Sequence, residues 1–235
     1  MKILGIIPAR GGSKGIPLKN IKTLAGKPLI NYTIQSAQKS KINKIVVSTD
    51  NKKIKKISES AGADVPFLRP KKISGDKVST IDVVKHTLHF LSTNQSYVPD
   101  IVIILQPTSP LRSTKMINNS INLLKKSKST SVITVSKIKT HPYAAFWYNN
   151  KHLKPFRKDF VKYSSRQKFP ILYYPTGSIY TLWRETLKKY NSLYGPKIKP
   201  MIVKDEIELD IDTLYDLFMS EMTILHWKKY FQKFR

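Results

Sequence analysis

A glycine-rich, basic stretch close to the start of the sequence is the first feature with an obvious chemical use. Residues 6–21 read IIPARGGSKGIPLKNI, an apolar run followed by three glycines interleaved with Arg10, Lys14 and Lys19. Glycine lets backbone N–H groups turn towards an anion, and the basic side chains neutralise phosphate oxygens. The spacing fits neither the Walker A loop nor the Gly-x-Gly-x-x-Gly fingerprint. We therefore predict a phosphate cradle of another kind; the alternative is a basic surface turn.

A pair of carboxylates in the stretch IELDIDT is the second feature. Asp210 and Asp212 are two residues apart, so in a strand they would point to the same face. Two such carboxylates suit a hard divalent cation such as Mg²⁺, bound partly through substrate phosphates. The alternative is that Asp212 or Thr213 caps the helix that follows, and the two interpretations are compatible.

The stretch LQPTSPLR, residues 105–112, is the third feature. It follows the most apolar run of the chain, and its two prolines favour a rigid turn. Gln106, Thr108, Ser109 and Arg112 offer hydrogen bonds there. Taken alone, the pattern is as typical of an ordinary loop as of a binding site.

The elements that must position these residues alternate regularly over the first 140 residues. The patterns predict strands over residues 2–8, 44–49, 100–106 and 131–136, and helices over 28–38, 52–60, 80–91 and 114–125. This alternation predicts an α/β fold with a doubly wound, mostly parallel sheet. Ligands bind at the carboxyl ends of the strands of such sheets, which is where the glycine-rich loop follows its strand.

The alternation stops after residue 140. Residues 141–175 are rich in aromatic residues, proline and basic residues, and we predict a protruding arm on a single domain spanning 1–235. Strand patterns resume over 177–183, 198–203 and 207–212. A final amphipathic helix follows, in which we expect one shared apolar face, formed by Leu214, Leu217, Phe218, Ile224 and Leu225.

Composition narrows the classes of function. The 235 residues include 42 basic and 15 acidic ones, a net charge of +27, which raises a nucleic-acid-binding protein as an alternative. The lysines are spread over predicted helix surfaces, so we favour a generally lysine-rich composition and expect no specific nucleic acid. Such a charge still attracts anionic small molecules. The absence of cysteine excludes a thiolate nucleophile and cysteine-ligated zinc.

Targeting signals are not evident in the sequence. It has neither an apolar run long enough to span a membrane nor the pattern of a secretory signal, so we expect a cytoplasmic protein. The segment HWKKYFQKFR, residues 226–235, mixes aromatic and basic residues. It either continues the last helix and packs on the body, which we favour, or makes weak contact with an anionic membrane surface.

Six motifs in this order carry a family resemblance: IIPARGGSKGIPLKNI, VVSTD, FLRP, LQPTSPLR, GSIY and DIDT. Together they resemble the acylneuraminate cytidylyltransferases (CMP-sialic acid synthetases), a group that includes enzymes for legionaminic and pseudaminic acids. The resemblance covers residues 3 to 225, and its first and fourth motifs are the specific ones. It implies a nucleotide-diphospho-sugar transferase-like fold, CTP and a nine-carbon 2-keto sugar acid as substrates, Mg²⁺, and a homodimer formed through the arm.

The reaction that the resemblance implies is attack of the sugar's anomeric hydroxyl on the α-phosphate of CTP, with loss of pyrophosphate. The implied catalytic residues are Arg10, Lys14, Lys19 and Asp212. The implied nucleotide-binding residues are Ala9, Arg10, Gly11, Asn20, Arg69, Ser79 and Thr80. The implied sugar-binding residues are Gln106, Arg166 of the arm and Tyr180, and the implied metal ligands are Asp210 and Asp212.

The sugar-facing region departs from the family pattern at two positions. Tyr174 and Thr176 stand where family members often carry an arginine and an asparagine. The alternatives for the substrate are therefore legionaminate, pseudaminate or a shorter keto-sugar acid such as Kdo.

Overall fold

The computed structural model describes residues 1–157, 166–203 and 209–232. Its strands are β1 Ile3–Pro8, β2 Thr23–Leu24, β3 Lys27–Pro28, β4 Lys44–Ser48, β5 Ile101–Leu105, β6 Ser131–Lys137, β7 Phe146–Asn149, β8 His152–Pro155, β9 Tyr173–Trp183 and β10 Ile198–Ile202. Its helices are α1 Leu29–Gln38, α2 Lys52–Ser60, α3 Thr80–Gln95, α4 Thr114–Lys126, α5 Arg184–Tyr190 and α6 Leu214–Gln232.

The central sheet has six strands in the order β10-β6-β9-β5-β1-β4. Strand β9 runs antiparallel to both β5 and β6, and the other neighbouring pairs are parallel. The predicted α/β class with a mostly parallel sheet is confirmed. Because β1, β4 and β5 are parallel neighbours, the loops that follow them meet at one edge of the sheet.

Both faces of the sheet are covered, which explains why its strands are apolar without alternation. Successive side chains of β1 point to opposite faces. Ile3 and Ile7 pack in a cluster with residues of α1, α2 and α4. Leu4 and Ile6 pack in a second cluster with residues of α3 and α5.

Side chains at the helix starts fix where α2, α3 and α4 begin. Asn51 Oδ1 accepts hydrogen bonds from the backbone N–H groups of Lys53 and Ile54, at 2.8 and 3.1 Å. Ser79 and Ser113 cap the next two helices in the same manner. Helix α3 runs four residues beyond the predicted end and stops at Ser96, whose left-handed φ of 47° ends the helix.

The predicted arm contains the antiparallel β7–β8 hairpin. Trp147 and Tyr148 of this hairpin are 60% and 76% exposed. Strand β9 already begins at Tyr173, so the last three residues of the predicted segment 141–175 belong to the central sheet. Residues 158–165 lie outside the described part of the chain, and a role of the arm in dimerisation stays a prediction.

The predicted single apolar face of the last helix is wrong. Leu217 and Ile224 pack against a buried cluster that includes Ile16 and Ile211. Leu214, Phe218 and Leu225 are exposed instead. At about 100° per residue, these three lie on a stripe roughly 90° around the helix from the buried pair, because the five residues span two adjacent stripes.

The C-terminal segment 226–235 is only partly described, because residues 233–235 and three side chains before them lie outside the description. Its contact with a membrane or with the body stays a prediction. Within residues 1–157, 166–203 and 209–232, the helices are too short or too polar to cross a membrane.

Candidate active site

Three loops surround a cavity of about 480 Å³ at the carboxyl edge of the parallel strands. The phosphate loop, residues 8–20, follows β1, and residues 106–113 follow β5. The carboxylate loop, residues 209–213, precedes α6. The cavity lining includes Arg10, Lys14, Lys19, Asn20, Gln106, Asp210 and Asp212. Basic and acidic residues that are about 200 positions apart in the sequence therefore face one space.

Lys19 connects the phosphate loop to the carboxylate loop. Its Nζ donates to the Asp212 Oδ1 at 2.8 Å and to the Ile211 carbonyl oxygen at 2.6 Å. The Ile211 N–H donates in turn to the Thr108 carbonyl oxygen at 2.9 Å. The carboxylate loop is thus fixed to both of the other loops, and the charge of Lys19 lies beside a carboxylate.

Close approach, rather than an unusual backbone angle, explains the glycine at position 15. A methyl group at Gly15 would overlap the backbone carbonyl oxygen of Asp212, whereas a methyl group at Gly12 would meet no atom within 4 Å. None of the three loop glycines has a left-handed φ. The Gly11 N–H donates to the Asp50 Oδ1 at 2.8 Å, so in this structure it does not face the cavity.

The two predicted metal ligands share the cavity without lying on a strand. Residues 209–213 are irregular, so the predicted strand over 207–212 is wrong in its described part, since Asp210 and Asp212 adopt no strand conformation. Although Asp210 is partly exposed, burial raises its pKa above the ordinary value, and the nearby Asp212 carboxylate adds to the shift. Proximity to the other two loops, not a strand face, brings the two carboxylates together.

Thr213, not Asp212, provides the helix cap. The Asp216 N–H donates to the Thr213 Oγ1 at 3.2 Å, and the Thr213 N–H donates back to the Asp216 Oδ2 at 2.7 Å. This reciprocal pair is a capping box that starts α6. It leaves the Asp212 carboxylate facing the cavity.

Asp76 is a functional candidate that the sequence analysis missed. It forms ion pairs with Arg10 and with Lys14, whose Nζ lies 2.9 Å from the Asp76 Oδ2. Hydrogen bonds from Lys14 and Arg10 lower the pKa of Asp76. In this structure the Asp76 carboxylate therefore neutralises two of the basic side chains that are predicted to bind phosphate. The only sequence signal was an acidic residue beside Gly75 in a chain with few acids.

A second cavity of about 220 Å³ shares Pro8, Arg10 and Gln106 with the first, and it is also lined by Arg69 and Thr80. Arg69 is buried, and its guanidinium donates to the side chain and the backbone carbonyl of Ser48 at the end of β4. Burial lowers the pKa of Arg69 to about 10, an effect that Asp50 partly offsets. Three of the predicted nucleotide-binding residues, Arg10, Arg69 and Thr80, thus meet in a small pocket beside the phosphate loop.

Three predicted nucleotide-binding residues have structural roles in this arrangement. Ala9 is fully buried, and its N–H donates to the Ser48 carbonyl at 2.9 Å. The Ser79 hydroxyl caps α3 and donates to the Asp82 Oδ2 at 2.7 Å. Asn20 lines the larger cavity, and its Nδ2 donates to the Arg10 carbonyl at 2.9 Å. Asn20 therefore also holds the phosphate loop in shape.

The predicted sugar-binding residues whose side chains are described do not line one cavity together. Gln106 lines both cavities, and its side chain lies beside Gly177. Tyr180 of β9 packs on the α3 side of the sheet, and burial raises its pKa to about 12, with Tyr194 and Asp210 adding to the effect. The Arg166 side chain lies outside the described residues. Thr176 is buried, and its hydroxyl donates to the Thr134 Oγ1 at 2.9 Å, so this side chain bonds within the sheet.

Arg112 connects the loop after β5 to β9 and to α1. It is buried and donates to the carbonyl oxygens of Gln106 and Ser178, at 3.0 and 2.7 Å. It also donates to the Thr33 Oγ1 at 2.5 Å. Burial lowers the pKa of Arg112 to about 9. Arg112 therefore fixes the position of Gln106 relative to β9.

Comparisons with known proteins identify the family and the fold. The sequence model of the family described as "Cytidylyltransferase" matches residues 4–232. The chain is 36% identical to a CMP-N,N'-diacetyllegionaminic acid synthase of Legionella pneumophila, over 94% of this chain and 95% of that protein. It is 33% identical to a pseudaminic acid cytidylyltransferase of Campylobacter jejuni, over 94% and 96%.

Solved structures show the same fold at low sequence identity. A CMP:2-keto-3-deoxy-manno-octonic acid synthetase complexed with CTP aligns with a TM-score of 0.70 and 17% identity, over 97% of this chain and all of that one. A 4-diphosphocytidyl-2C-methyl-D-erythritol synthase from Anaerococcus prevotii aligns with a TM-score of 0.64 and 15% identity, over 95% and 98%. With its profile match and its relatives above 30% identity, this chain belongs to the cytidylyltransferase family.

Proposed function

We propose that this cytidylyltransferase joins CMP from CTP to the anomeric hydroxyl of a nine-carbon 2-keto sugar acid. The observation that carries the proposal is the single cavity in which Arg10, Lys14 and Lys19 face Asp210 and Asp212. The negative charge of a triphosphate requires basic side chains. A metal ion bound to those phosphates requires carboxylate ligands. The names of the relatives, which act on legionaminic and pseudaminic acids, support the sugar class.

The chain's own residues would act by positioning and by neutralising charge. In the proposed reaction the anomeric oxygen bonds to the α-phosphorus while the bond to pyrophosphate breaks. Negative charge builds on the leaving pyrophosphate, and the basic side chains of the phosphate loop offset it. Arg69 and Thr80, in the smaller cavity, are proposed to hold the nucleoside part of CTP.

The donor set fits Mg²⁺. Asp210 and Asp212 offer carboxylate oxygens, and the described residues contain no group of three or more His, Cys, Asp or Glu side chains that could hold a metal by themselves. Mg²⁺ is commonly held by one or two carboxylates together with waters and substrate phosphates. When bound, the cation would polarise the phosphate oxygens. Lys19, beside Asp212, would keep that carboxylate oriented towards the cavity.

The sugar side of the proposal rests on Gln106, Tyr180 and Arg166. Gln106 is held by Arg112 at the border of both cavities, where it would contact the sugar acid. We also propose that the arm reaches a second copy in a homodimer, which the exposed Trp147 and Tyr148 support. We also propose a cytoplasmic location, which the use of a nucleoside triphosphate supports.

Pyrophosphate release tests the proposal. The assay contains CTP and Mg²⁺, with N-acetylneuraminic, legionaminic or pseudaminic acid or Kdo. Release with one nine-carbon acid establishes the reaction and names the sugar, whereas release with Kdo alone would favour the shorter-sugar alternative. No release with any acid, together with steeply salt-dependent oligonucleotide binding, would favour the nucleic-acid alternative instead.

A further inference from the structure

A separate cavity of about 270 Å³ lies between α3, α5 and the segment that enters β5. Strand β5 begins at Ile101, beside this cavity, and ends at Leu105, next to the active-site loop. The cavity is therefore at the edge of the sheet opposite the active site. Among the described residues, none of those lining it also lines either active-site cavity.

The floor of this remote cavity is apolar. It is formed by Leu88 of α3, Leu187 of α5, and Tyr97, Val98 and Pro99 of the segment between them. Val98 is 45% exposed, although it belongs to a residue type that is usually buried. Concave apolar surface with a few polar groups is typical of small-molecule sites.

The rim of the remote cavity is basic. Lys85 and Lys188 line it, are exposed, and form no ion pair with a carboxylate in the described ranges. Arg184 also lines it, and one of its guanidinium nitrogens is 2.6 Å from Glu185.

Carboxylates contribute little at this rim. None belongs to the described lining, and the nearby Asp100 already accepts a hydrogen bond from the Lys2 backbone N–H at 2.6 Å. Because Glu185 offsets the charge of Arg184, the positive charge of the rim comes from Lys85 and Lys188, which outweigh the partial negative charge at the C-terminal ends of α3 and α5. The cavity thus has an apolar floor in a positive field.

We propose that the remote cavity is a second ligand site, which binds a small amphipathic anion: an apolar body carrying one carboxylate or phosphate group. The apolar body would cover Leu88, Val98 and Leu187, and the anion would meet Lys85 and Lys188. This inference rests only on the floor and the rim of the cavity, and it is independent of the proposed reaction.

Calorimetric titration of the full chain with octanoate and with octyl phosphate tests the proposal. Octyltrimethylammonium, with the same chain and the opposite charge, and inorganic phosphate, without a chain, are the comparison probes. We expect both octyl anions to bind, and both comparison probes to bind at least about tenfold more weakly, because each lacks one half of the recognition.

Charge reversal locates the binding. In the double variant Lys85→Glu/Lys188→Glu we expect the affinity for octyl phosphate to fall at least about tenfold. The control Lys125→Glu/Lys126→Glu changes the net charge equally at two exposed lysines of α4, on the other face of the sheet, and should change the affinity less than about twofold. Circular dichroism verifies that both variants are folded, and Val98→Trp, which fills the cavity, should remove binding altogether.

Several results would overturn the proposal. These are no binding of either octyl anion, equal binding of the ammonium probe, or equal loss of affinity in both double variants. CTP titration of the Lys85→Glu/Lys188→Glu variant separates this site from the active site, since we expect the CTP affinity to stay unchanged. A failed octyl titration with normal pyrophosphate release would refute the second site alone.

Discussion

The proposed nucleotide side and the proposed sugar side of the cavity are built differently. On the proposed nucleotide side, hydrogen bonds fix the loops in three ways: Asn20 bonds the Arg10 carbonyl within the phosphate loop, Arg69 bonds Ser48 at the end of β4, and Lys19 joins the phosphate loop to the carboxylate loop. On the proposed sugar side, Arg112 bonds the backbone carbonyl of Gln106, whereas the described residues of the hairpin β7–β8 line neither cavity and include the exposed Trp147 and Tyr148. We therefore propose that one chain suffices to form the nucleotide side, whereas the sugar side depends on the arm.

The largest expected effect is on the nucleotide side, at the carboxylate loop. Asp212→Asn removes the charge that faces the phosphates, and we expect turnover to fall by about 1000-fold while weak CTP binding remains. Asp64→Asn is the matched control, because Asp64 only pairs with Lys44 on the surface. Pyrophosphate release and CTP calorimetry measure both. Normal turnover of Asp212→Asn would contradict its assignment as a metal ligand.

Gly15→Ala probes how closely the phosphate loop and the carboxylate loop must approach. The added methyl group would overlap the Asp212 carbonyl oxygen and push the loops apart, so we expect kcat/KM for CTP to fall by about 100-fold. Gly12→Ala, where a methyl group meets open space, should stay within about twofold of the wild type. If the two variants have equal steady-state kinetics, contact between these loops does not matter for the reaction.

Arg112 lies at the junction of the two sides. Arg112→Lys loses the planar group that bonds Gln106, Ser178 and Thr33, and we expect the free energy of unfolding to fall by about 3 kcal/mol. The sugar KM should rise about tenfold, because Gln106 is no longer fixed. Urea unfolding and sugar-dependent kinetics measure the two effects. Lys44→Met, which breaks the ion pair with Asp64 and the contact of the Lys44 Nζ with the Tyr97 ring, should cost less than about 2 kcal/mol.

The smallest effect on the rate is expected from the arm. Trp147→Ser/Tyr148→Ser removes exposed aromatic surface, so we expect the dimer to dissociate more readily and the sugar KM to rise about fivefold. The CTP affinity should change less than about twofold. Sedimentation velocity and calorimetry distinguish these effects, with Tyr190→Ser of α5 as an exposed-aromatic control. An equal rise in the Kd for CTP would mean that the arm also builds the nucleotide side.

The sequence was sufficient to predict the central strands of the sheet. Strands β1 and β5 are buried on both faces, so each is a continuous apolar run in the sequence. The sequence was not sufficient for the direction of β9, since the strand pattern is the same in parallel and antiparallel pairing. The face of α6 was also predicted wrongly. Leu214 and Leu217 are both apolar, and only the position of the cluster around Ile16 decides which of them is buried.

The sequence was sufficient to predict the site residues that belong to one loop. It was not sufficient to predict how residues from distant loops come together. Arg10, Lys14 and Lys19 follow a strand directly, so their common position follows from the topology. Asp210 and Asp212 share the cavity through loop contacts rather than through a strand face. Asp76 pairs with Arg10, which is 66 positions away in the sequence, and a local sequence pattern cannot predict such a contact.

The most direct test of the difference between the two sides is a calorimetric titration of CTP into the wild-type protein in the absence of any sugar acid. If the nucleotide side is complete by itself, CTP binds with one site per chain, and GTP binds at least about tenfold more weakly. CTP binding that requires the sugar acid, or equal binding of CTP and GTP, would contradict the account.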